Sequence, residues 1–312
     1  MPLWVIVLLI ALAILAAAIF YTIPLYWWAK QESFLKHRAG ASLLPSSRGE
    51  VEYATLGEGV PILMMHGAGG SYRQGLLLGQ LVDAGRFQII GVSRPGYRGT
   101  ALDAAPTFEE QADLAVELLD HLRIKKAAVL GISAGGTPAF QFALRHPERC
   151  LGLILLSAAL NVPGGFRFVP IVPLMFQLFT AFDYPIWLFM RLPLRAKTAP
   201  FGWIDPERFR DARFQRLFLD IFDEQFPGSA WRAGVVNDIN QYGKHDDLPF
   251  EDLRVPGLVI HGTNDNAVPY AVGHNAAERI PGADLMTIER GTHFAVATHW
   301  REIGARIEEF LL

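Results

Sequence analysis

The chain has 312 residues, a single cysteine and a formal net charge of −3, a length that suits one large α/β domain with an insertion or two ordinary domains. Its charge balance, without a basic patch or stripe, argues against a nucleic-acid partner. The lone Cys150 excludes an internal disulfide framework and a multi-cysteine metal site.

The N-terminal segment is predicted to span a membrane. Residues 3–20 contain no charged or strongly polar side chain, and about 20 helical residues cross about 30 Å of hydrocarbon. Aromatic rings favour the membrane interface, and four of them gather where this run ends: Tyr21, Tyr26, Trp27 and Trp28. We therefore assign residues 1–28 to a transmembrane anchor. A cleaved signal peptide is the alternative, with residues 16–18 as processing positions, but no Lys or Arg precedes the run and it exceeds the usual apolar region.

The flanking charges predict the orientation of this anchor. Lys30, Lys36 and Arg38 follow the apolar run, whereas only the α-amino group precedes it. Positive charge tends to remain in the cytoplasm, so the globular part is expected there. Residues 29–48 are mixed and polar, which predicts a short linker into the domain.

From Val51 onward, short apolar runs alternate with longer amphipathic segments. The runs are continuously apolar, as strands are when helices cover both faces of a sheet. A capping sequence at residues 107–110 opens one of the helical patterns, and the last helix is expected over residues 294–311. This alternation predicts an α/β fold with a doubly wound, mostly parallel sheet. The predicted strands cover residues 61–65, 87–92, 127–130, 151–156, 257–260 and 285–288.

Residues 161–253 interrupt the alternation and divide the core into residues 49–160 and 254–312. The first part of this insertion is rich in bulky apolar side chains, but repeated prolines cut it into short pieces, which disfavours a second membrane span. We interpret the insertion as a helical lid over the carboxyl edge of the sheet. Its aromatic and methionine content favours an apolar acyl or aromatic substrate.

The sequence Gly131-Ile132-Ser133-Ala134-Gly135 follows a predicted strand and opens a helix. A G-x-S-x-G turn strains the serine and presents its hydroxyl at the edge of the sheet, so Ser133 is the predicted nucleophile. The N–H of Ala134 then points into an oxyanion site at the helix N-terminus. The glycine-rich turn after residue 65 is expected to contribute a second donor, the N–H of Ala68.

A serine nucleophile needs a base, and the base needs an acid that orients it. His293 follows the last predicted strand and Asp265 follows the preceding one, so both loops leave the sheet at the edge that carries Ser133. The chain order Ser, Asp, His agrees with this assignment. Possible substitutes lack a strand-end context: His299 lies in the final helix, and Asp238, Asp246 and Asp247 lie in the lid or at its exit. His66 and His261 are interpreted as structural residues.

From about residue 51 to the C-terminus the chain resembles the α/β-hydrolase superfamily, in its lid-bearing esterase, lipase and C–C-bond-hydrolase branch. The motifs that carry the resemblance are His66-Gly67, residues 93–97, Gly131-x-Ser133-x-Gly135, Asp265 and Gly291-x-His293. One departure is visible. The family usually has an aspartate before Arg94-Pro95-Gly96, where this chain has Ser93, and the following residues 98–100 are also shifted.

The resemblance and the motifs together predict a serine hydrolase that cleaves apolar esters through an acyl-enzyme on Ser133, without a metal or organic cofactor. Serine at the elbow argues against haloalkane dehalogenases and epoxide hydrolases, which place aspartate there. A C–C hydrolase of vinylogous diketones is the alternative, and a cofactor-free peroxidase or a thioesterase would use the same residues. A non-catalytic ligand-binding protein is disfavoured, because ligand binding alone does not require Ser133, Asp265 and His293 together.

Overall fold

A computed structural model describes residues 1–161, 182–198, 204, 206–242 and 247–312. The chain divides into two compact units, Met1–Gly40 and Ala41–Leu312. The aromatic first part of the expected lid, with Phe166, Phe168, Phe176 and Phe179, lies outside the described residues.

The first unit is one long helix, α1 (Leu3–Arg38). It contains an 18-residue stretch with a mean hydropathy of 3.1 and no buried residue. The helix is therefore long and apolar enough to cross a membrane, a criterion that an N-terminal signal sequence can also meet. Within residues 29–48, predicted as a linker, the structure has helix up to Arg38 and a strand over Ser42–Ser46. The helix continues to Arg38 because residues 25–39 contain neither glycine nor proline, and a helix extends easily through such residues.

The described part of the second unit contains an eight-stranded sheet with the order β1-β2-β4-β3-β5-β6-β7-β8. Strands β3 to β8 pair in parallel, whereas β2 is antiparallel to β4 and to β1. This confirms the predicted mostly parallel α/β sheet. The strands are β1 (Ser42–Ser46), β2 (Gly49–Leu56), β3 (Val60–Met65), β4 (Phe87–Val92), β5 (Ala127–Ile132), β6 (Cys150–Leu156), β7 (Gly257–Gly262) and β8 (Asp284–Ile288).

Helices flank this sheet. In place of the single final helix expected over residues 294–311, two helices meet at His299, whose backbone (φ −125°, ψ 35°) leaves the helical region. The described helices after α1 are α2 (Tyr72–Gly79), α3 (Phe108–His121), α4 (Gly136–Arg145), α5 (Asp183–Phe189), α6 (Leu194–Thr198), α7 (Ala212–Asp223), α8 (Arg232–Tyr242), α9 (Tyr270–Arg279), α10 (Ala295–Thr298) and α11 (Trp300–Leu311).

The core lies on both faces of the sheet. Successive strand side chains point to opposite faces, and in β3 Leu63 joins one buried cluster while Ile62 and Met64 join the other. The cluster with Leu63 includes Phe108 and Phe140, on helices α3 and α4. Because both faces are covered, strands β3, β5 and β6 contain only apolar residues, which explains the continuous apolar runs.

Helix α8 of the insertion lies on the loop that follows β4. The N–H of Gly234 donates to the carbonyl oxygen of Gly96 at 2.9 Å, and the N–H of Arg98 donates to that of Ala230 at 2.6 Å. A β-carbon at Gly234 would overlap the ring of Tyr97, so glycine permits this close approach. The second half of the insertion is thereby fixed to the core next to the carboxyl ends of the strands.

Candidate active site

Three loops at the carboxyl edge of the sheet bring together a hydroxyl, an imidazole and a carboxylate. Ser133 follows β5, Asp265 follows β7 and His293 follows β8. His293 Nε2 lies 3.1 Å from Ser133 Oγ, and His293 Nδ1 lies 2.8 Å from Asp265 Oδ2. The three predicted side chains therefore form one continuous hydrogen-bonded chain.

Ser133 occupies a strained turn. Its φ of +49° lies in the left-handed region, which side chains other than glycine rarely adopt. A β-carbon at Gly135 would meet the carbonyl oxygen of Met65, and one at Gly131 would lie 2.5 Å from that of Gly135. The two glycines of the motif are thus required by close backbone contacts, and the turn leaves the Ser133 hydroxyl directed toward the imidazole.

The Asp265 carboxylate is buried and well supplied with hydrogen-bond donors. Its Oδ1 accepts the N–H groups of Ala267 at 2.9 Å and Val268 at 2.8 Å. Burial alone would raise the pKa of Asp265, but hydrogen bonds from His261, His293 and the Val268 N–H hold this pKa well below its usual value. The ionised carboxylate can only accept, so Nδ1 of His293 carries a proton and Nε2 is free to accept the Ser133 proton.

His261 supports the acid more directly than the sequence indicated. Its Nε2 lies 3.0 Å from the carbonyl oxygen of Val268 and 3.4 Å from Asp265 Oδ2. Because a carbonyl oxygen can only accept, Nε2 carries the proton. The spacing of four residues between His261 and Asp265 is a weak signal for this contact, which depends on how the loop after β7 folds.

The two predicted oxyanion donors, Ala68 and Ala134, are each adjacent in the chain to a residue at the turn of Ser133. Ala134 follows it in the chain, just before α4. A β-carbon at Gly67, the residue before Ala68, would lie 3.1 Å from Ser133 Cβ, so the turn of residues 66–68 (the oxyanion turn) packs against Ser133. The placement suits two N–H donors that converge on a carbonyl oxygen at Ser133.

The oxyanion turn is held by His66, interpreted from the sequence as a structural residue, and by Gln74, which the sequence did not single out. His66 Nδ1 donates to the carbonyl oxygen of Gly67 at 2.7 Å, and its Nε2 accepts the N–H of Arg94 at 2.9 Å. Burial and the nearby Arg94 charge hold the pKa of His66 well below its usual value, so this imidazole is neutral. The carboxamide oxygen of Gln74 accepts the N–H of Gly67 at 2.7 Å. Both peptide groups of Gly67 are therefore fixed.

Ser93, where the resemblance departs from the usual aspartate, contacts a carboxylate from another strand. Its hydroxyl donates to Glu52 Oε2 at 2.6 Å and accepts the N–H of Tyr72 at 3.0 Å. Glu52 is a buried residue of β2. A buried carboxylate from the strand next to β4 therefore contacts the side chain at this position.

The other acids considered from the sequence are placed elsewhere. Asp238 pairs with Arg94 at 2.6 Å and Asp247 pairs with Arg279 at 2.8 Å, while Asp246 lies outside the described residues. Neither described carboxylate is bonded to His293, which contacts Asp265.

An aromatic wall borders the imidazole. Phe294 follows His293 and packs against Phe218 and Phe222 of α7, with ring centroids 4.5 and 5.6 Å apart. All three rings are buried, so this wall packs the insertion against the loop that carries His293.

The match to known proteins agrees with this architecture. Residues 60–299 match the model of the alpha/beta hydrolase fold family, and the chain belongs to that family. It is 27% identical over 268 residues to 2-hydroxymuconate semialdehyde hydrolase of Pseudomonas putida, covering 82% of this chain and 88% of the relative. It is 33% identical over 268 residues to 2-hydroxy-6-oxo-6-phenylhexa-2,4-dienoate hydrolase of Comamonas testosteroni, covering 78% of this chain and 85% of the relative.

Among solved structures, an α/β-hydrolase fold protein from Nakamurella multipartita is 30% identical, with a TM-score of 0.69 over 87% of this chain and 99% of that one. The family and the names of these relatives support hydrolase activity for an α/β fold.

Proposed function

We propose that this chain is a serine hydrolase that cleaves carboxylic esters of apolar acyl or aromatic character through an acyl-enzyme on Ser133. The observation that carries the proposal is the hydrogen-bonded chain from Asp265 through His293 to the Ser133 hydroxyl. An imidazole that is oriented by an ionised carboxylate and bonded to a strained serine is the arrangement that activates a hydroxyl for attack.

In the first half of the reaction, His293 Nε2 takes the Ser133 proton as Oγ attacks the ester carbonyl. The N–H groups of Ala68 and Ala134 stabilise the oxyanion of the tetrahedral intermediate. The intermediate collapses to the acyl-enzyme, and His293 returns the proton to the leaving alkoxide. Asp265 keeps the proton on Nδ1 and stabilises the imidazolium that forms in between.

In the second half, His293 takes a proton from water, which attacks the acyl carbonyl. Collapse of the second intermediate releases the acid and returns the proton to Ser133 Oγ. The aromatic and methionine content of the insertion supports apolar acyl or aromatic groups over charged ones, since burial of a charge without a partner is costly.

Hydrolysis of a C–C bond in vinylogous diketones is the second candidate. Two relatives that cover most of this chain are named as hydrolases of 2-hydroxymuconate semialdehyde and of a phenyl-substituted oxohexadienoate. The same serine, histidine and oxyanion donors would serve this reaction, in which a stabilised carbanion replaces the alkoxide as leaving group.

Initial rates with the full chain in detergent separate these candidates. The substrates are p-nitrophenyl esters and thioesters of graded acyl length and vinylogous 1,5-diketones. We expect kcat/KM for an ester of medium or long acyl chain to exceed that for the thioesters and the diketones by about 100-fold or more. A preference for the diketone overturns ester hydrolysis in favour of C–C cleavage. A folded chain that hydrolyses none of these substrates and is not labelled by a fluorophosphonate overturns both.

We also propose that α1 anchors the protein as a single-pass membrane protein with the hydrolase unit in the cytoplasm. Lys30, Lys36 and Arg38 after the apolar run support this orientation. Mass spectrometry is expected to show the full-length chain with α1 still attached. The chain should stay in the membrane fraction on carbonate extraction, and added protease should digest it in inverted vesicles but not in intact cells. Digestion from the outside of intact cells, or a processed soluble form, would refute this orientation.

A further inference from the structure

A buried ion pair joins the insertion to the core beside the oxyanion turn. The guanidinium of Arg94 binds the Asp238 carboxylate of α8 through two hydrogen bonds, at 2.6 and 3.0 Å. The two side chains are 1% and 4% exposed, and the Tyr97 hydroxyl donates to the same carboxylate at 2.6 Å. A buried pair of charges loses much of its attraction to desolvation, so its net contribution to folding is small. Its geometry points to another role.

Arg94 also binds the residue that opens the oxyanion turn. Its backbone N–H donates to His66 Nε2 at 2.9 Å, and its Nε–H donates to the His66 carbonyl oxygen at 3.0 Å. His66 in turn donates to the Gly67 carbonyl oxygen, one residue before Ala68. Asp238 therefore fixes a guanidinium whose remaining donors hold the oxyanion turn.

The same face of α8 reaches the other predicted donor. Residues four apart lie above one another on a helix, so Gly234, Asp238 and Tyr242 form one stripe. Gly234 lies against Tyr97, and the Tyr242 hydroxyl donates to the carbonyl oxygens of Ala134 and Ala159, at 3.1 Å each. One helix of the insertion thus contacts the loop of Ala134 directly and reaches the oxyanion turn through Arg94.

We propose that Asp238 is a positioning residue of the oxyanion site, acting through Arg94 and His66 on the N–H of Ala68. This inference rests on the proposed function, which assigns that N–H to the oxyanion. Donors act when they lie within hydrogen-bond distance of the developing charge, so a small displacement of the turn lowers the rate without lowering substrate affinity. Helix α8 then helps to position the oxyanion turn.

The test is Asp238→Asn in the full chain, with Asp220→Asn as the matched control. Asp220 lies on α7 of the insertion and pairs with Arg216 at 3.6 Å on the surface. Asparagine keeps the size and one acceptor of Asp238 but removes the charge that holds Arg94. We expect Asp238→Asn to lower kcat for a p-nitrophenyl ester and the rate of phosphonylation by a fluorophosphonate by about 10- to 100-fold, with KM nearly unchanged. Asp220→Asn should match the wild type.

A second readout separates positioning from general destabilisation. A trifluoromethyl ketone adds to the serine and forms an oxyanion that needs the same donors, so its affinity should fall by the same factor as kcat. The double variant Arg94→Met/Asp238→Leu removes both charges, and such apolar replacements of a buried pair are often neutral for folding. We expect it to melt near the wild-type temperature and still to bind the ketone weakly.

Two results would overturn the inference. Folded Asp238→Asn with wild-type phosphonylation and ketone affinity would show that the turn does not depend on the pair. Failure of both variants to fold would make the pair a requirement of folding. Either result leaves the proposed function standing as long as the wild-type chain is labelled at Ser133, whereas a wild-type chain that is not labelled there removes the proposed function itself.

Discussion

Replacing Ser133 by alanine is expected to lower kcat for ester hydrolysis by about 10⁶-fold, to the level that substrate binding and the oxyanion donors sustain alone. The hydroxyl that contacts His293 Nε2 is then absent. Alanine and serine bear a similar strain at a φ of +49°, so the turn and the fold should persist. The measurement is kcat with a p-nitrophenyl ester, together with the thermal midpoint of the purified variant.

Ser157 provides a matched control, because it too directly follows a strand, β6, and has a positive φ, of 42°. Ser157→Ala should change kcat by less than about 2-fold, within the range of a substitution that leaves the transition-state contacts intact. If Ser133→Ala kept near wild-type activity, the nucleophile would have to be a different group.

Asp265→Asn is expected to lower kcat by about 10⁴-fold while the loop after β7 keeps its shape. The asparagine oxygen can still accept the N–H groups of Ala267 and Val268. Its NH2 group, however, faces His293 Nδ1 as a donor, which favours the tautomer with the proton on Nε2. Asp247→Asn, in the surface pair with Arg279, is the control and should retain full activity. Equal activity of the two variants would remove Asp265 from the mechanism.

The pH dependence of stability gives an independent check on Asp265. Its folded pKa is held below the unfolded value of about 3.9, so the ionised carboxylate stabilises the fold fully above that pH. The contribution is lost as the pH falls through the folded pKa. The thermal midpoint of the wild type should therefore exceed that of Asp265→Asn at pH 7, and the difference should shrink below about pH 4. A difference that grows on acidification would contradict the ionised assignment.

The parts of the molecule that could be predicted from sequence are those with local signals. The central strands are continuous apolar runs. Ser133 lies in a motif whose two glycines are required because neighbouring backbone atoms leave no room for a β-carbon. Asp265 and His293 could be placed because parallel strands deliver their following loops to one edge. The contact between them then follows from the topology, although they are 28 residues apart.

The parts that could not be predicted depend on contacts between distant polar residues. Asp238 lies 144 residues after Arg94. A charged residue in a helix of mixed polar and apolar residues is predicted to be exposed, and only the tertiary fold shows that it is buried. Glu52 is hidden for the same reason, because its acidic neighbour Glu50 makes β2 look exposed. The continuation of the helix to Arg38 was also not predicted from the sequence, although the polar residues after Trp28 are good helix formers.

The most direct test of the proposed serine chemistry is the site and rate of fluorophosphonate labelling in the full-length protein. After digestion and mass spectrometry, we expect one adduct, on the peptide that contains Ser133. Its rate of formation should fall by about 10³-fold or more in His293→Ala, because the base that activates the hydroxyl is gone. An adduct on another residue, or labelling of Ser133 at an unchanged rate without His293, would contradict the assignment of nucleophile and base.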